Sequence, residues 1–443
     1  MSQTLIVHHD KSLVELLNLN LPLYVGTDIV VKDSFKNAVV LLENHPGIHL
    51  IIAAGHIGSE TTAESIYKLK PDVPLIVLGK GGKLVESATL TLLPGTPELK
   101  PIIQAAAKHL KVTPKKMMEQ VVPDYFPIQT SFFMHVGLAP SNIYVQDNDG
   151  NYTLLFAAES LVDLNVVRRL NEEGNKHLYV DAVHRLKLVN HVSVKLQARL
   201  QDSSTDPELR MAATDDAIHL VREEAIKGPN PLPVSTQELT DITINACIDI
   251  AKSSPRIASL IKRLLSNRSS YLYKHTQLII HITQHIVSQQ EWGTNEQKHK
   301  LAYVAFFHDI CLTNDRQAKY RSDISVSSDP SLGIMDKDII FKHAHAAAEI
   351  VQKFPQIPLG SDILIMQHHG SISGHGFAKT FSSTLSPLAI IFIVAEELAH
   401  RILDREGEND ISVHMPEILT ELKGKFGRSR YLKIVESLES LAI

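Results

Sequence analysis

The segment FFHDICL sets His308 beside Asp309, and four further stretches of the same C-terminal half carry side chains of the same chemistry. They are KHTQ with His275, FKHAH with His343 and His345, QHHGSISGHGF with His368 and His369, and VAEELAH with Glu396. Imidazoles and carboxylates hold divalent cations of intermediate softness. They are also the groups that move protons near neutral pH. A lone His–Asp pair carries neither chemistry, and both require that these residues converge on one pocket.

The elements that would position them are helices. From about residue 205 onward the pattern is helical almost throughout. Ser254–Pro255 reads as an N-cap followed by proline at the first helical position. After it Ile257, Leu260, Ile261, Leu264 and Leu265 fall on one apolar face. Thr294 with Gln297 fits a capping box and starts a helix ending at His308–Asp309. Ser386–Pro387 opens another helix in the same way. A bundle with ligands facing inward is the simplest architecture for such a set.

Periodicity sorts the candidates. In YLYKHTQLIIHITQHIV the residues Leu278, Ile279, Ile282 and Ile286 make an apolar stripe. At about 100° per residue His275 falls at its centre, His281 well away from it and His285 on its margin. An unpaired buried ring costs roughly 1–3 kcal/mol, so His275 needs a partner, either a metal or a backbone group. Glu396 shares its face with Phe392, Ile393, Ala399 and Leu403. A carboxylate there must neutralise, coordinate a cation, or pair with a lysine or arginine from elsewhere. Glu397 faces more polar neighbours and is the poorer ligand.

The bulk properties limit the alternatives. At 443 residues the chain exceeds one core and predicts two or three domains. It is 44% hydrophobic and 21% charged, an ordinary soluble composition. A net charge of -5 argues against a nucleic-acid polymer as partner and against a polybasic membrane anchor. Cys247 and Cys311 cannot build a disulfide framework, which fits a reducing cytoplasm. Cys311, near His308, reads as an apolar filler. The N-terminus MSQTLIVHHDK lacks the pattern of a signal peptide. The longest apolar run, PLAIIFIVA, is too short to cross a bilayer. The 23 histidines are an excess, but many lie outside the five stretches above.

The predicted fold is multidomain. Residues 1–112 alternate strands (TLIVHH, DIVVKD, IHLIIAA, PLIVLG, ATLTLL) with helices (SLVELLNLNL, FKNAVVLLENH, TAESIYKL, ELKPIIQAAAKHL). That alternation predicts a doubly wound α/β domain. Residues 113–204 read as a small α+β domain. Its expected strands are FPIQTSFFMHV, SNIYVQD, YTLLFAAE, HLYVDA and HVSVKLQ. DNDGN is a turn between two of them, and LVDLNVVRRLNEEG is a helix. QDSSTDPE marks the boundary, and 205–443 is the all-α part.

Two resemblances follow. The layout of 1–112 resembles a response-regulator receiver domain without the residues for phosphotransfer. His8, His9 and Asp10 follow its first strand, Ala53 and Ala54 end its third, Gly79 follows its fourth, and PGTP follows its fifth. This implies a pseudo-receiver serving as a docking or dimerisation module, with a protein partner or a homodimer as its use. The C-terminal half, from about 270 to 405, resembles the HD-GYP branch of the HD phosphohydrolases. FFHDICL, FKHAHAAAEIV, QHHGSISGHGF and SPLAIIFIVAEELAHRILDR carry the likeness.

The HD-GYP resemblance implies a binuclear centre of two divalent metal ions, iron foremost, with manganese or zinc as alternatives. Its ligands would be His275, His308, Asp309, His343, His368, His369 and Glu396, with Asp309 bridging. His343 rather than His345 takes the ligand role. Arg405 would approach the substrate phosphate, and Lys319 or Arg321 could share that task. The implied activity is cytoplasmic hydrolysis of cyclic di-GMP by a two-metal-activated water. The departures are Gly370, Ser373, Phe377 and Ala378 in the signature loop, Leu312 in place of a lysine, and Glu396 in place of Asp. Tyr271 stands where three-metal members have a glutamate, which favours two metals. The substrate wall is thus altered while the ligand set is nearly complete. Two other readings stay open: an HD hydrolase of another nucleotide or phosphoester, and a non-enzymatic regulator that binds metal or nucleotide. NDRQAKYRSDISVSSDPS, after the His–Asp pair, reads as a solvated surface loop.

Overall fold

Five apolar runs of the N-terminal region form one parallel sheet. They are β1 (Ser2–Val7), β2 (Thr27–Lys32), β3 (Leu50–Ala54), β4 (Leu75–Leu78) and β5 (Leu90–Leu93), in the order β2-β1-β3-β4-β5. The computed structural model describes residues 2–44, 47–57, 62–94, 99–113, 124–147, 149–202, 204–227, 232–254, 256–266, 269–352, 354, 356–382, 384–406, 411–427 and 429–441. Pro255 and the residues 95–97 of the PGTP segment lie outside that set.

The sheet is covered on both faces, which is why its inner strands β3 and β4 are apolar without alternation. Ile6, Leu50, Ile52 and Ile76 pack with residues of α1 (Lys11–Val25) and α4 (Leu99–His109). Leu5, Val7, Ile51, Ala53 and Val77 pack with Ala38 and Leu42 of α2 (Phe35–Asn44) and Ala63 and Ile66 of α3 (Thr62–Leu69). The order 2-1-3-4-5 is one of the two common doubly wound orders.

A second, antiparallel sheet has the order β6-β9-β7-β8. Its strands are β6 (Tyr125–Gln129), β7 (Ile143–Gln146), β8 (Tyr152–Phe156) and β9 (His177–Asp181). Helix α5 (Leu164–Glu172) is capped by Asp163, whose side chain accepts from the Asn165 N–H. Two expected strands differ from this. FPIQTSFFMHV is extended only to Gln129. Thr130–His135 then form a 3-10 turn that buries Phe132 and Phe133. HVSVKLQ is part of helix α6 (Arg185–Gln201). Its local alternation imitates a strand, but Leu186, Val189, Val192, Leu196 and Leu200 recur every three or four residues and are all buried, while Val194 is exposed.

The chain divides into two compact units within α6, between His191 and Val192. The second unit is helical: α7 (Pro207–Lys227), α8 (Val234–Ser253), α9 (Ile257–Ser266), α10 (Tyr271–Ser288), α11 (Asn295–Phe307), α12 (Asp323–Ser328), α13 (Ile334–Val351), α14 (Ser361–Gln367), α15 (Pro387–Asp404), α16 (Ile411–Lys425) and α17 (Ser429–Ser437). At its centre α10 packs on α15, α11, α8 and α9. Packing against these four helices buries His281 as well as His275. The single apolar stripe therefore does not distinguish the two histidines.

The helix starts are as the capping residues require. The Thr294 hydroxyl accepts from the Gln297 N–H at 3.3 Å, and the Gln297 side chain accepts from the Thr294 N–H at 2.8 Å. The Ser386 hydroxyl accepts from the Ala389 N–H at 3.2 Å, with Pro387 following. Among the described residues no helix is long and apolar enough to cross a membrane.

Candidate metal centre

Helix termini aim most of the candidate ligands. His308 and Asp309 follow the last turn of α11, and His368 and His369 follow α14. His275 sits one turn into α10, His343 in the second half of α13, and Glu396 midway along α15. All seven residues meet inside the helical unit. Asp309 Oδ2 lies 3.3 Å from His308 Nε2 and 4.0 Å from His275 Nε2, and its Oδ1 lies 3.4 Å from His343 Nε2. His343 Nε2 is 3.2 Å from His368 Nε2 and 3.0 Å from His369 Nε2. Glu396 Oε1 is 3.7 Å from His369 Nδ1.

Backbone carbonyls set the tautomers. The Nδ1–H of His308 donates to Ala305 O at 2.9 Å, that of His343 to Ile340 O at 2.6 Å, and that of His368 to Ile365 O at 2.6 Å. A carbonyl only accepts, so each of these rings carries a proton on Nδ1, and the neutral rings of His343 and His368 present a bare Nε2 to the pocket. This is the arrangement that orients ligating histidines. His343 and His368 then point lone pair at lone pair. Two nitrogens bound at about 2.1 Å to one cation, at right angles, stand roughly 3.0 Å apart. Both ring nitrogens of His275 and Nε2 of His308 are buried without a hydrogen-bond partner. The residues present fit a divalent cation.

The electrostatics agree. Burial would raise Asp309, but His308, His343 and His275 hold its carboxyl well below the usual range. Burial would lower His308, but the Asp309 charge outweighs it and holds the ring at about 9. Burial, with His308 beside it, pushes His275 down to about 3. Burial also lowers His343, and with the neighbouring imidazoles it drives His368 and His369 well down. Glu396 is pushed well above the usual carboxyl range by burial. His275, His343, His368 and His369 are thus neutral beside the Asp309 carboxylate, the state in which both groups bind cations, while His308 carries a second proton that a cation at Nε2 would displace.

Neighbouring residues divide the other tasks. Glu397 is buried and satisfied by Arg401 at 2.8 Å and Lys425 at 2.7 Å, so the basic partners expected as an alternative for Glu396 belong to Glu397. Arg405 lies 3.4 Å from Glu421 and 3.5 Å from Glu417. A cavity of about 640 Å³ opens beside His368, His369 and Glu396. Arg321, Lys379 and Lys425 line it, with Phe377, Phe381, Phe426 and Tyr431. Arg321 is itself held 2.6 Å from Asp404. Leu312 is buried. Gly370 has φ +77°, and a Cβ there would stand 2.8 Å from the Phe381 ring, so the turn after His369 excludes a longer side chain.

Sequence reasoning missed His400. It is buried one helical turn after Glu396, with Nε2 3.9 Å from Glu396 Oε1 and Nδ1 2.8 Å from the Tyr271 hydroxyl. The i, i+4 spacing to Glu396 was the available signal.

The site is a histidine-rich cluster whose residues could hold divalent cations, in a helical unit, opening on a cavity with basic and aromatic walls. Among solved structures the chain is similar to Bd1817, a HDG"Y"P protein from Bdellovibrio bacteriovorus. The likeness has a TM-score of 0.45 at 15% identity and covers 71% of this chain and 98% of that one. No protein-family model and no curated protein matches the chain.

Proposed function

We propose that the helical unit is a metal-dependent phosphodiesterase of a divergent HD-GYP type, with cyclic di-GMP as its first candidate substrate. One observation carries the reading: Asp309 turns its two carboxylate oxygens toward different imidazole sets, His275 with His308 and His343 with His368 and His369. His275, His308 and Asp309 would hold one divalent ion, and His343, His368, His369 and Asp309 the other, with Glu396 beside His369. Iron is the first choice, with manganese or zinc also suited to nitrogen and oxygen ligands. Bound there, such ions polarise phosphoryl oxygens and lower the pKa of water.

The chain's own groups do the rest. Lys379, with Arg321 once it leaves Asp404, draws an anionic phosphodiester into the cavity, while Lys425 stays with Glu397. Phe377, Phe381, Phe426 and Tyr431 offer faces on which bases can stack. Burial of the histidine cluster keeps bulk water from the reacting atoms and strengthens every charge interaction there. Arg405 stays a candidate for phosphate contact, on condition that Glu417 and Glu421 release it.

The altered wall supports a second reading, a hydrolase of another phosphoester, because Leu312 is buried where a phosphate-facing lysine would stand. Turnover of cyclic di-GMP and of bis(4-nitrophenyl) phosphate, with Mn²⁺ or Fe²⁺ under reducing conditions, separates the two. Activity on cyclic di-GMP supports the first reading, and activity on the generic diester alone supports the second. Binding without turnover would leave a regulator.

We read 1–112 as a pseudo-receiver and docking or homodimerisation module, 113–204 as a small α+β domain, and 205–443 as the hydrolase, acting in the cytoplasm. Ala53 and Ala54 end β3, and Asp10 accepts from the Leu13 N–H at 3.2 Å at the start of α1.

A further inference from the structure

We propose that a second cleft in the helical unit, between α8, α10 and α11, binds a phosphorylated sugar or polyol, with Lys252 and Lys298 on the phosphate and the rings of His281 and His285 on the hydroxyls. The site is separate from the metal centre and does not depend on the reaction proposed there.

The cleft encloses about 590 Å³. None of its lining residues borders the cavity beside His368, His369 and Glu396. Small-molecule sites span roughly 300–1,000 Å³, so a bare phosphate would leave most of this one unfilled. Charge selects an anion. Lys252 and Lys298 line the cleft, and neither is paired with a carboxylate among the described residues. Asp249, the carboxylate of the wall, has Arg210 at 3.5 Å.

The histidines select hydroxyls. His281 is 7% exposed, and its ring donates one N–H to the Ala251 carbonyl. Burial pushes this ring down to about 4, so at neutral pH its other nitrogen is a bare acceptor. That nitrogen has no hydrogen-bond partner among the described residues. His285, one turn further along α10, donates from Nε2 to Ser437 O at 3.3 Å. Burial lowers it too, so its Nδ1 is bare in the same way. A bare nitrogen accepts from a hydroxyl and repels a phosphate oxygen, which leaves the phosphate to the lysines. A cation does not fit instead. Among the described residues no third His, Cys, Asp or Glu converges with these two rings, and the lysine charges oppose it. Nor, among the described residues, does any Phe, Tyr or Trp line the cleft, so a nucleobase has no such face to stack on. The amides of Asn245 and Asn295 add donors and acceptors for further hydroxyls.

The test is isothermal titration of the full chain with glycerol 3-phosphate, ribose 5-phosphate, glucose 6-phosphate and AMP. At least one of the three sugar or polyol phosphates should bind with a Kd below about 1 mM. Its unphosphorylated form should bind at least about tenfold more weakly, and Lys252→Ala/Lys298→Ala should weaken the phosphate form to a similar degree, the scale of one lost hydrogen bond to a charged group. His281→Phe should weaken it as well. Absence of binding by all three would overturn the proposal. Binding unchanged by the two lysine substitutions would place the ligand elsewhere and overturn it too. AMP binding more tightly than all three would overturn the choice of a sugar or polyol. Lys252 is exposed and Lys298 half-buried, so the lysine variant decides should His281→Phe fail to fold.

Discussion

His343 and His368 face each other through bare Nε2 atoms 3.2 Å apart, while a backbone carbonyl holds the Nδ1–H of each. Lone pairs do not attract, so a shared cation is the natural resident. We predict that His343→Ala and His368→Ala each lose about one metal equivalent. Turnover should fall by at least about a hundredfold, the scale of several kcal/mol of lost charge stabilisation. Elemental analysis checks the first and steady-state kinetics the second. Full metal content in both variants would contradict the shared ion.

Asp309 serves both imidazole sets, so its replacement has a wider effect. Asp309→Ala should lose both ions, whereas His308→Ala should lose one. Equal losses from the two variants would show that the carboxylate does not bridge. Isothermal titration with Mn²⁺ distinguishes these outcomes.

The metal-free protein should be sensitive to acid. Folding holds His275, His343, His368, His369 and His400 below the ordinary imidazole range, chiefly by burial. Below about pH 6.5 the unfolded chain takes up protons at these rings and the folded chain does not. Stability is therefore greatest above that pH and falls as the pH drops toward the folded value of His275, about 3. His308 works the other way: held up at about 9 beside Asp309, it contributes fully below about pH 6.5 and loses that contribution as the pH rises through 9. Glu396, held above the carboxyl range, also gains stability as the pH falls. With five rings against His308 and Glu396, Tm in chelator should drop from pH 7 to pH 5. Metal at a hundredfold over its Kd should add about 2.7 kcal/mol at neutral pH. A flat Tm over that range would refute the assignment of five neutral rings.

Arg321 and Arg405 are the two arginines proposed for the phosphate contact. Arg321 lines the cavity, while Arg405 lies between Glu417 and Glu421. A hydrogen bond to a charged group is worth about 1.5–3 kcal/mol. Arg321→Ala should therefore raise KM by roughly tenfold or more, and Arg405→Ala should change it by less. The reverse order would assign the phosphate contact to Arg405.

The N-terminal domain should take no phosphate. Acetyl phosphate with Mg²⁺ should leave the mass of the intact chain unchanged, because β3 ends in Ala53 and Ala54. A stable increment of one phosphoryl group would overturn the pseudo-receiver reading.

Much was legible in the sequence where local rules govern. Strands buried on both faces must be apolar throughout, and the inner β3 and β4 read that way, while the edge strands β2 and β5 carry Asp28, Lys32 and Thr91. Capping residues act within one turn, and Thr294 and Ser386 start the helices their types require. Residue type and helical context singled out His275 and Glu396 as polar groups on apolar faces, while the full set of candidate ligands came from the resemblance of whole segments to a known family. Tertiary structure decided the rest, because it depends on what packs opposite each residue. HVSVKLQ became helix once the long register from Leu186 to Leu200 found a core. His281 was buried because the helices packed on α10 cover more than its apolar stripe. Glu397 found Arg401 and Lys425, and Arg405 found two carboxylates. His400 joined the site only because α15 lies against α10 and brings it to Tyr271 and His275, a proximity that no spacing along the chain encodes.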